Sequence, residues 1–196
     1  GSWFNQNRLK INPCKTEMVL LKSSRRNVNC DFTVKFGSSH VNCSRSAKIL
    51  GVTLDSCLSW EQNVSAIVKR CYCILIGLAR MQRRIPRDTR RLLVEALVFP
   101  HVRYCMSVWG SCTATQRRRL QKCINFGARV VTGLGYREHV TDALRELNWS
   151  RIEHMITEHD VCVIYQLVND ARASEVMRSR IARRSEVSAR ETRATV

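Results

Sequence analysis

Leu58-Ser59-Trp60-Glu61-Gln62-Asn63-Val64-Ser65-Ala66-Ile67-Val68-Lys69-Arg70-Cys71-Tyr72-Cys73-Ile74-Leu75-Ile76-Gly77-Leu78 divides this chain of 196 residues into two kinds of sequence. From Val64 onward, apolar side chains recur at Ile67, Val68, Cys71, Ile74, Leu75 and Leu78. That is the i, i+3, i+4, i+7 spacing that lays one apolar stripe along an α-helix. Upstream the period is two: Phe32, Val34 and Phe36 alternate within Asp31–Phe36, as in a half-buried strand. A switch from period 2 to period 3.6 after Ser59 predicts an α+β chain, in which a small antiparallel β-sheet is followed by an all-α helical bundle.

Working back from the switch, Ala47–Leu54 reads as a strand carrying Gly51, and His40–Cys43 and Glu17–Leu21 as two more. Gly37-Ser38-Ser39 is a turn between strands. Residues 3–10 read as the end of a short helix stopped at Asn12-Pro13, because proline disfavours the helical conformation in the residue before it. Working forward, Pro86 opens a second helix with Leu92, Leu93, Ala96 and Leu97 on one face, and Pro100 interrupts it. An apolar run follows from Val102 to Trp109. A helix over Thr113–Val131 then turns Leu120, Cys123, Ile124 and Gly127 inward and Arg117, Arg118, Arg119 and Lys122 outward. Gly133-Leu134-Gly135 is a linker, Val140–Leu147 a short helix, and Ser150 caps a longer one carrying Ile152, Ile156, Val161, Val163, Ile164, Leu167 and Val168. The units are expected at 1–58 (strands), 59–170 (helices) and 171–196, a basic tail with little apolar content that reads as disordered or conditionally helical.

Lys and Arg number 33 against 16 for Asp and Glu, a net charge of +17. Self-repulsion on that scale works against a compact monomer, so a polyanionic partner is the expectation. The 44% hydrophobic content is that of a globular chain. The 10 cysteines are scattered with no Cys-x-x-Cys, and Cys71-x-Cys73 lies inside a helical stripe, which argues against a zinc site and for free thiols in a reducing compartment, nucleus or cytoplasm. No stretch is apolar for long enough to span a membrane.

Five phrases in fixed order give the chain a further meaning. They are Trp3-Phe4-x-x-Asn7-x-Leu9-x-Ile11-Asn12-Pro13-x-Lys15-Thr16-Glu17; Lys48-Ile49-Leu50-Gly51-Val52-Thr53-Leu54-Asp55 with Leu58-Ser59-Trp60; Pro86-x-x-x-Arg90-x-Leu92 through Pro100-His101-x-x-Tyr104-x-x-x-Val108-Trp109; Leu120-Gln121-Lys122-x-x-Asn125-x-x-x-Arg129; and Leu144-x-x-Leu147-x-Trp149-x-x-Ile152. Together they resemble the end of the palm, the primer grip and the thumb of reverse transcriptases from non-LTR (LINE-type) retrotransposons. The tail phrase Arg183-Arg184-Ser185-Glu186-Val187 resembles the post-thumb segment. The resemblance implies an RNA-directed DNA polymerase ancestor whose Asp-Asp box lies upstream of Trp3. It also implies that Mg²⁺ belongs only to the intact polymerase, that this chain needs no cofactor of its own, and that alone it is inactive. The implied partner is an RNA/DNA template–primer. A co-opted basic module that binds RNA, DNA or an acidic protein without enzymatic work stands as the alternative. Nothing in the residues fixes the oligomeric state.

The candidate contacts follow. The resemblance makes Lys15 the motif D lysine, although a phosphate contact or plain surface position is the better reading without carboxylates to hold metals. Lys48 and Gly51 belong to the primer-grip phrase, where a glycine within a strand admits a nucleic-acid backbone closely. Arg80, Arg83, Arg84, Arg87, Arg90 and Arg91 surround the junction of the first two bundle helices, and Arg117, Arg118, Arg119 and Lys122 form a second cluster. Only Asp88 dilutes them, and phosphate contact is the reading on electrostatic grounds. His101 reads as a buried, hydrogen-bonded residue, and Trp60, Trp109 and Trp149 as core anchors. Asp55 and Glu61 show no spacing that specifies acid–base work.

Overall fold

A computed structural model describes residues 2–8, 12, 15–23, 25, 28, 31–36, 39–170 and 172–181. Pro13 as a helix stop, the Gly37-Ser38 turn, Cys14, Cys30 and the tail residues Arg183, Arg184, Arg190 and Arg193 lie outside the described residues.

The chain is α+β. A short helix α1 (Ser2–Gln6) leads to β1 (Met18–Val19), β2 (Thr33–Phe36), β3 (Ser39–Ser44), β4 (Ser46–Ile49) and β5 (Val52–Asp55). The strands form two sheets, one of order β1-β3-β2 and one hairpin β4-β5. Both β2–β3 and β4–β5 pair antiparallel, as the alternation leads one to expect, and β1 adds a parallel pairing to β3 through Met18 and Val19. The segment read as one strand over Ala47–Leu54 is in fact two strands. Leu50 and Gly51 form the two-residue turn between them, with φ of 46° and 88°. Two consecutive positive φ angles are the signature of a type I′ hairpin, whose twist matches that of the strands it joins. Gly51 is therefore a turn glycine, not a strand glycine.

A half-buried carboxylate makes the corner from β5 into the first long helix, α2 (Glu61–Arg80). Leu58 and Trp60 both carry positive φ, a conformation that costs roughly 1–2 kcal/mol per residue. Asp55 offsets this. Its Oδ1 accepts the Cys57 and Ser59 amides, and its Oδ2 accepts the Ser59 hydroxyl and the Trp60 amide. Burial alone would raise the Asp55 pKa, but these hydrogen bonds hold it below the ordinary carboxylate range.

The remaining helices are α3 (Arg87–Leu97), α4 (Phe99–Arg103), α5 (Met106–Trp109), α6 (Ala114–Thr132), α7 (Thr141–Glu146), α8 (Ile152–Asn169) and α9 (Glu175–Arg178). The stripe on α2 is buried as read: Val64, Cys71, Leu75 and Leu78 reach the core. Helix α6 opens with a capping box. Gln116 donates its amide to Thr113 Oγ1, and Thr113 donates its own to Gln116 Oε1 at 2.7 Å. Gly133, at φ 83°, closes the helix.

Three local expectations fail. On α3 the buried residue is Val94, joined by Val98 just past its end, while Leu92 and Leu97 are exposed. Apolar residues run almost without a break from Leu92 to Val98, so periodicity cannot choose a face, and the polar anchors choose it instead. Arg91 binds Glu95 and the Leu147 carbonyl, and Glu95 receives Trp149 Nε1. Ser150 does not cap α8. The N-cap residue is Arg151, and the Ile152 amide is taken by Gln121 Oε1, reaching over from α6 at 2.8 Å. Finally, only the first half of α8 is buried. Beyond His159, whose Nδ1 lies 2.7 Å from Ser107 Oγ, Val161 and Ile164 are exposed, Val163, Leu167 and Val168 are half-buried, and Arg178 donates to the Leu167 carbonyl.

Trp60, Trp109 and Trp149 are core anchors, as expected. Each buries its indole and finds an acceptor for its N–H: Ser111 Oγ, the Tyr104 carbonyl and Glu95 Oε1. Large aromatics with satisfied polar tips contribute heavily to such a core. The thiols of Cys71 and Cys123 meet across α2 and α6, and burial pushes them up to about 11 and about 12.

Candidate nucleic-acid interface

Among the described residues the basic side chains fall into two groups by what holds them. Arg87 pairs with Glu146 at 2.5 Å, Arg91 with Glu95 at 2.9 Å, and Arg119 with Glu61 at 2.5 Å while also donating to Ser65. Arg90 donates to the Gln82 carbonyl. These four tie helices together. Arg80, Arg83, Arg84, Arg117, Arg118 and Lys122 make no ion pair among the described residues. All are exposed except Arg117, which is half-buried, as is Arg119. The outward face expected of α6 is thus carried by Arg118 and Lys122.

The two clusters do not meet. Helices α2 and α6 run in the same direction: Glu61 near the start of α2 meets Gln116 and Arg119, and Gln82 just past its end donates to the Arg129 carbonyl. Arg80, Arg83 and Arg84 therefore lie at one end of the pair, and Arg117 and Arg118 at the other. Arg118 and Arg129 are separated along α6 by about 16 Å at the rise of an α-helix.

A third basic locus lies where the hairpin meets the bundle. Tyr104 donates its hydroxyl to the Leu50 carbonyl at 2.6 Å, tethering the tip of β4–β5 to the turn after α4. A Cβ on Gly51 would touch the Tyr104 ring at 3.4 Å. Between tip and helices is a cleft of about 260 Å³, with Lys48, Gly51, Thr53, Arg70, His101 and Tyr104 in its walls. Asn63 forms its floor, 5% exposed, accepting the Thr53 amide at 3.2 Å through Oδ1 while its Nδ2 has no partner among the described residues. His101 is half-exposed here rather than a buried, hydrogen-bonded residue. Burial, and then the positive charge of Arg70, lower its pKa and favour the neutral ring. Lys15 is exposed and stands two residues before Glu17, whose Oε2 accepts the Lys48 amide at 3.3 Å, so the chain brings Lys15 to the β4 side of the molecule.

Sequence reasoning united Lys48 and Gly51 and missed Arg70 and Tyr104. Arg70 sits on the polar side of a stripe read only for its apolar side, and the role of Tyr104 depends on a partner 54 residues away. Asp55 and Glu61 are structural. The hydrogen bond from Gln116, then those from Arg119 and Ser65, lower the Glu61 pKa.

No family model matches the chain, and no solved structure matches it significantly. Over 81% of its length it is 27% identical to a probable RNA-directed DNA polymerase from transposon BS of Drosophila melanogaster. The chain is a relative of that polymerase. The similarity bears out the resemblance to a retrotransposon reverse transcriptase, and the chain spans 18% of the relative's length. Among the described residues no helix is long and apolar enough to cross a membrane.

Proposed function

We propose that the chain is the duplex-gripping part of an RNA-directed DNA polymerase: a primer-grip-like hairpin and a thumb-like bundle that hold template–primer by its sugar–phosphate backbone. The observation that carries this reading is the tethered hairpin tip beside Lys48 and Arg70. A hairpin locked to a helical unit by Tyr104, with two cations at the joint that make no ion pair among the described residues, offers phosphates a rigid contact. A rigid contact loses less conformational entropy on binding than a mobile one. The unpaired arginines at either end of α2 and α6 extend that contact. A span of about 16 Å corresponds to roughly five base steps at 3.4 Å per step along one strand, enough for separate phosphate contacts.

Two-metal phosphoryl transfer requires carboxylates brought together. Among the described residues no group of three or more His, Cys, Asp or Glu is placed to hold a metal ion, and no catalytic step is assigned to them. The function proposed is binding, with little sequence preference because phosphate contacts carry no base information.

Fluorescence anisotropy with a labelled RNA–DNA hybrid tests it. The wild-type chain should bind with log K falling as log salt rises, at a slope of about −0.9 per phosphate contact on a B-form duplex. Reversing Lys48 and Arg70 to Glu should weaken every sequence alike and flatten that slope. Absence of binding at low salt would remove the reading and leave an acidic protein as the partner to seek.

A further inference from the structure

A second cleft, of about 320 Å³, lies on the far side of α6, between α7 and the start of α8. Three guanidinium groups line it: Arg117 and Arg118 from α6, and Arg151 from the entry to α8. None makes an ion pair among the described residues. The Nε of Arg117 is buried without an acceptor among the described residues, although buried guanidinium nitrogens are normally satisfied. One carboxylate, Glu153, shares the walls, which leaves an excess of positive charge.

Hydrogen-bond logic adds a fixed donor. The Ile152 backbone amide can only donate, so Gln121 must present Oε1 to it, at 2.8 Å. Gln121 Nε2 is then turned toward Asn125, and donates to Asn125 Oδ1 at 2.8 Å. Asn125 in turn has no choice of orientation. Its Oδ1 is committed to Gln121, and its Nδ2 is left as a donor without a partner among the described residues, in a side chain that lines the cleft. The relay thus starts at a backbone amide and ends on an unused N–H pair beside three unused guanidinium groups. Such a set lacks only acceptors, and a tetrahedral oxyanion supplies several at once.

We propose that the cleft bounded by Arg117, Arg118, Asn125 and Arg151 is a phosphate-binding site. Its ligand is a phosphate group, carried by a nucleic-acid strand or free in solution. The strand-borne form rests on the template–primer reading, and the free form does not. The site differs from the hairpin cleft in position and construction, and Arg151 enters it from no motif of charge or spacing.

The test compares the wild-type chain with Arg151→Gln, whose side chain is exposed. Arg118→Gln serves as a second variant should the first misfold by circular dichroism. In anisotropy with a labelled RNA–DNA hybrid, Arg151→Gln should weaken binding roughly fivefold, since a charge-assisted contact is lost at a solvent-exposed position. It should also reduce the salt slope by about 0.9, one phosphate contact. In parallel, the melting temperature is measured in inorganic phosphate and in chloride at equal ionic strength. A phosphate-specific rise that Arg151→Gln abolishes supports the site with free phosphate as the ligand. If hybrid binding persists and the variants change neither readout, the cleft proposal is overturned and the duplex-gripping function stands. If the wild type binds no hybrid, that function falls, and the cleft then stands or falls on the phosphate melting shift alone.

Discussion

The helices between Trp60 and Ile156 supply nearly every buried apolar side chain, whereas among the described residues before Trp60 only Val41 and Val52 are buried. That region instead exposes Leu21, Phe32, Val34, Ile49 and Leu50. One region is held by a core and the other by backbone pairing, a carboxylate corner and a tyrosine tether. The difference teaches that the hairpin owes its position to the bundle. Its tip is fixed by Tyr104, its second strand by Asn63, and its exit by Asp55, which holds the Trp60 corner.

The largest expected effect strikes at the core. Trp109→Ala should destabilise the chain by about 3–5 kcal/mol in urea unfolding, whereas Val34→Ala in β2 should cost less than about 1 kcal/mol. Comparable losses at the two positions would break the contrast. Next comes Gly51→Ala, which forces a side chain onto φ 88° beside the Tyr104 ring and should cost about 1–2 kcal/mol. Tyr104→Phe removes one hydrogen bond from a partly exposed site and should cost about 1 kcal/mol or less. Its clearer readout is hydrogen exchange: amides of β4 and β5 should exchange faster while those of α2 and α6 keep their protection. Equal acceleration everywhere would mean that the tether is part of one cooperative core.

The smallest effect sharpens the role of the corner. The folded pKa of Asp55 is depressed, so its contribution is fully present above the unfolded value of about 3.9 and is lost as pH falls through the folded value. Glu61 and Glu95 act with the same sign. The urea midpoint of the wild type should therefore drop below about pH 4, and Asp55→Asn should show a shallower drop from a lower starting point. A steeper acid dependence in the variant would refute the assignment.

Most of the fold was legible because it rests on local periodicity. The α2 stripe, the inward face of α6, and β2 and β3 all follow from spacing alone. The β4–β5 turn was hidden because Leu50 is an unusual occupant of a positive φ position, and only Gly51 hinted at a turn. The face of α3 was hidden because six of seven residues from Leu92 to Val98 are apolar. The start of α6 is written in the sequence as the capping-box pair Thr113-x-x-Gln116. Of the candidate contacts, clusters close in sequence were visible and their separation in space was not. The parallel run of α2 and α6 sends the two arginine groups to opposite ends, and that is a fact of packing. Arg70 and Arg151 could have been found only by knowing which walls face each other.

The meeting of Cys71 and Cys123 has a kinetic consequence. Thiolates are the species that alkylating reagents attack, and both groups are held protonated far above neutral pH, without solvent access, for as long as α2 and α6 stay together. Cys73 and Cys162 are exposed and available at all times. The helix pair therefore carries an internal clock. Under slow labelling, the rate at which Cys71 and Cys123 react reports how often the bundle opens, and a nucleic acid that braces the bundle should slow that clock while leaving the reaction at Cys73 unchanged.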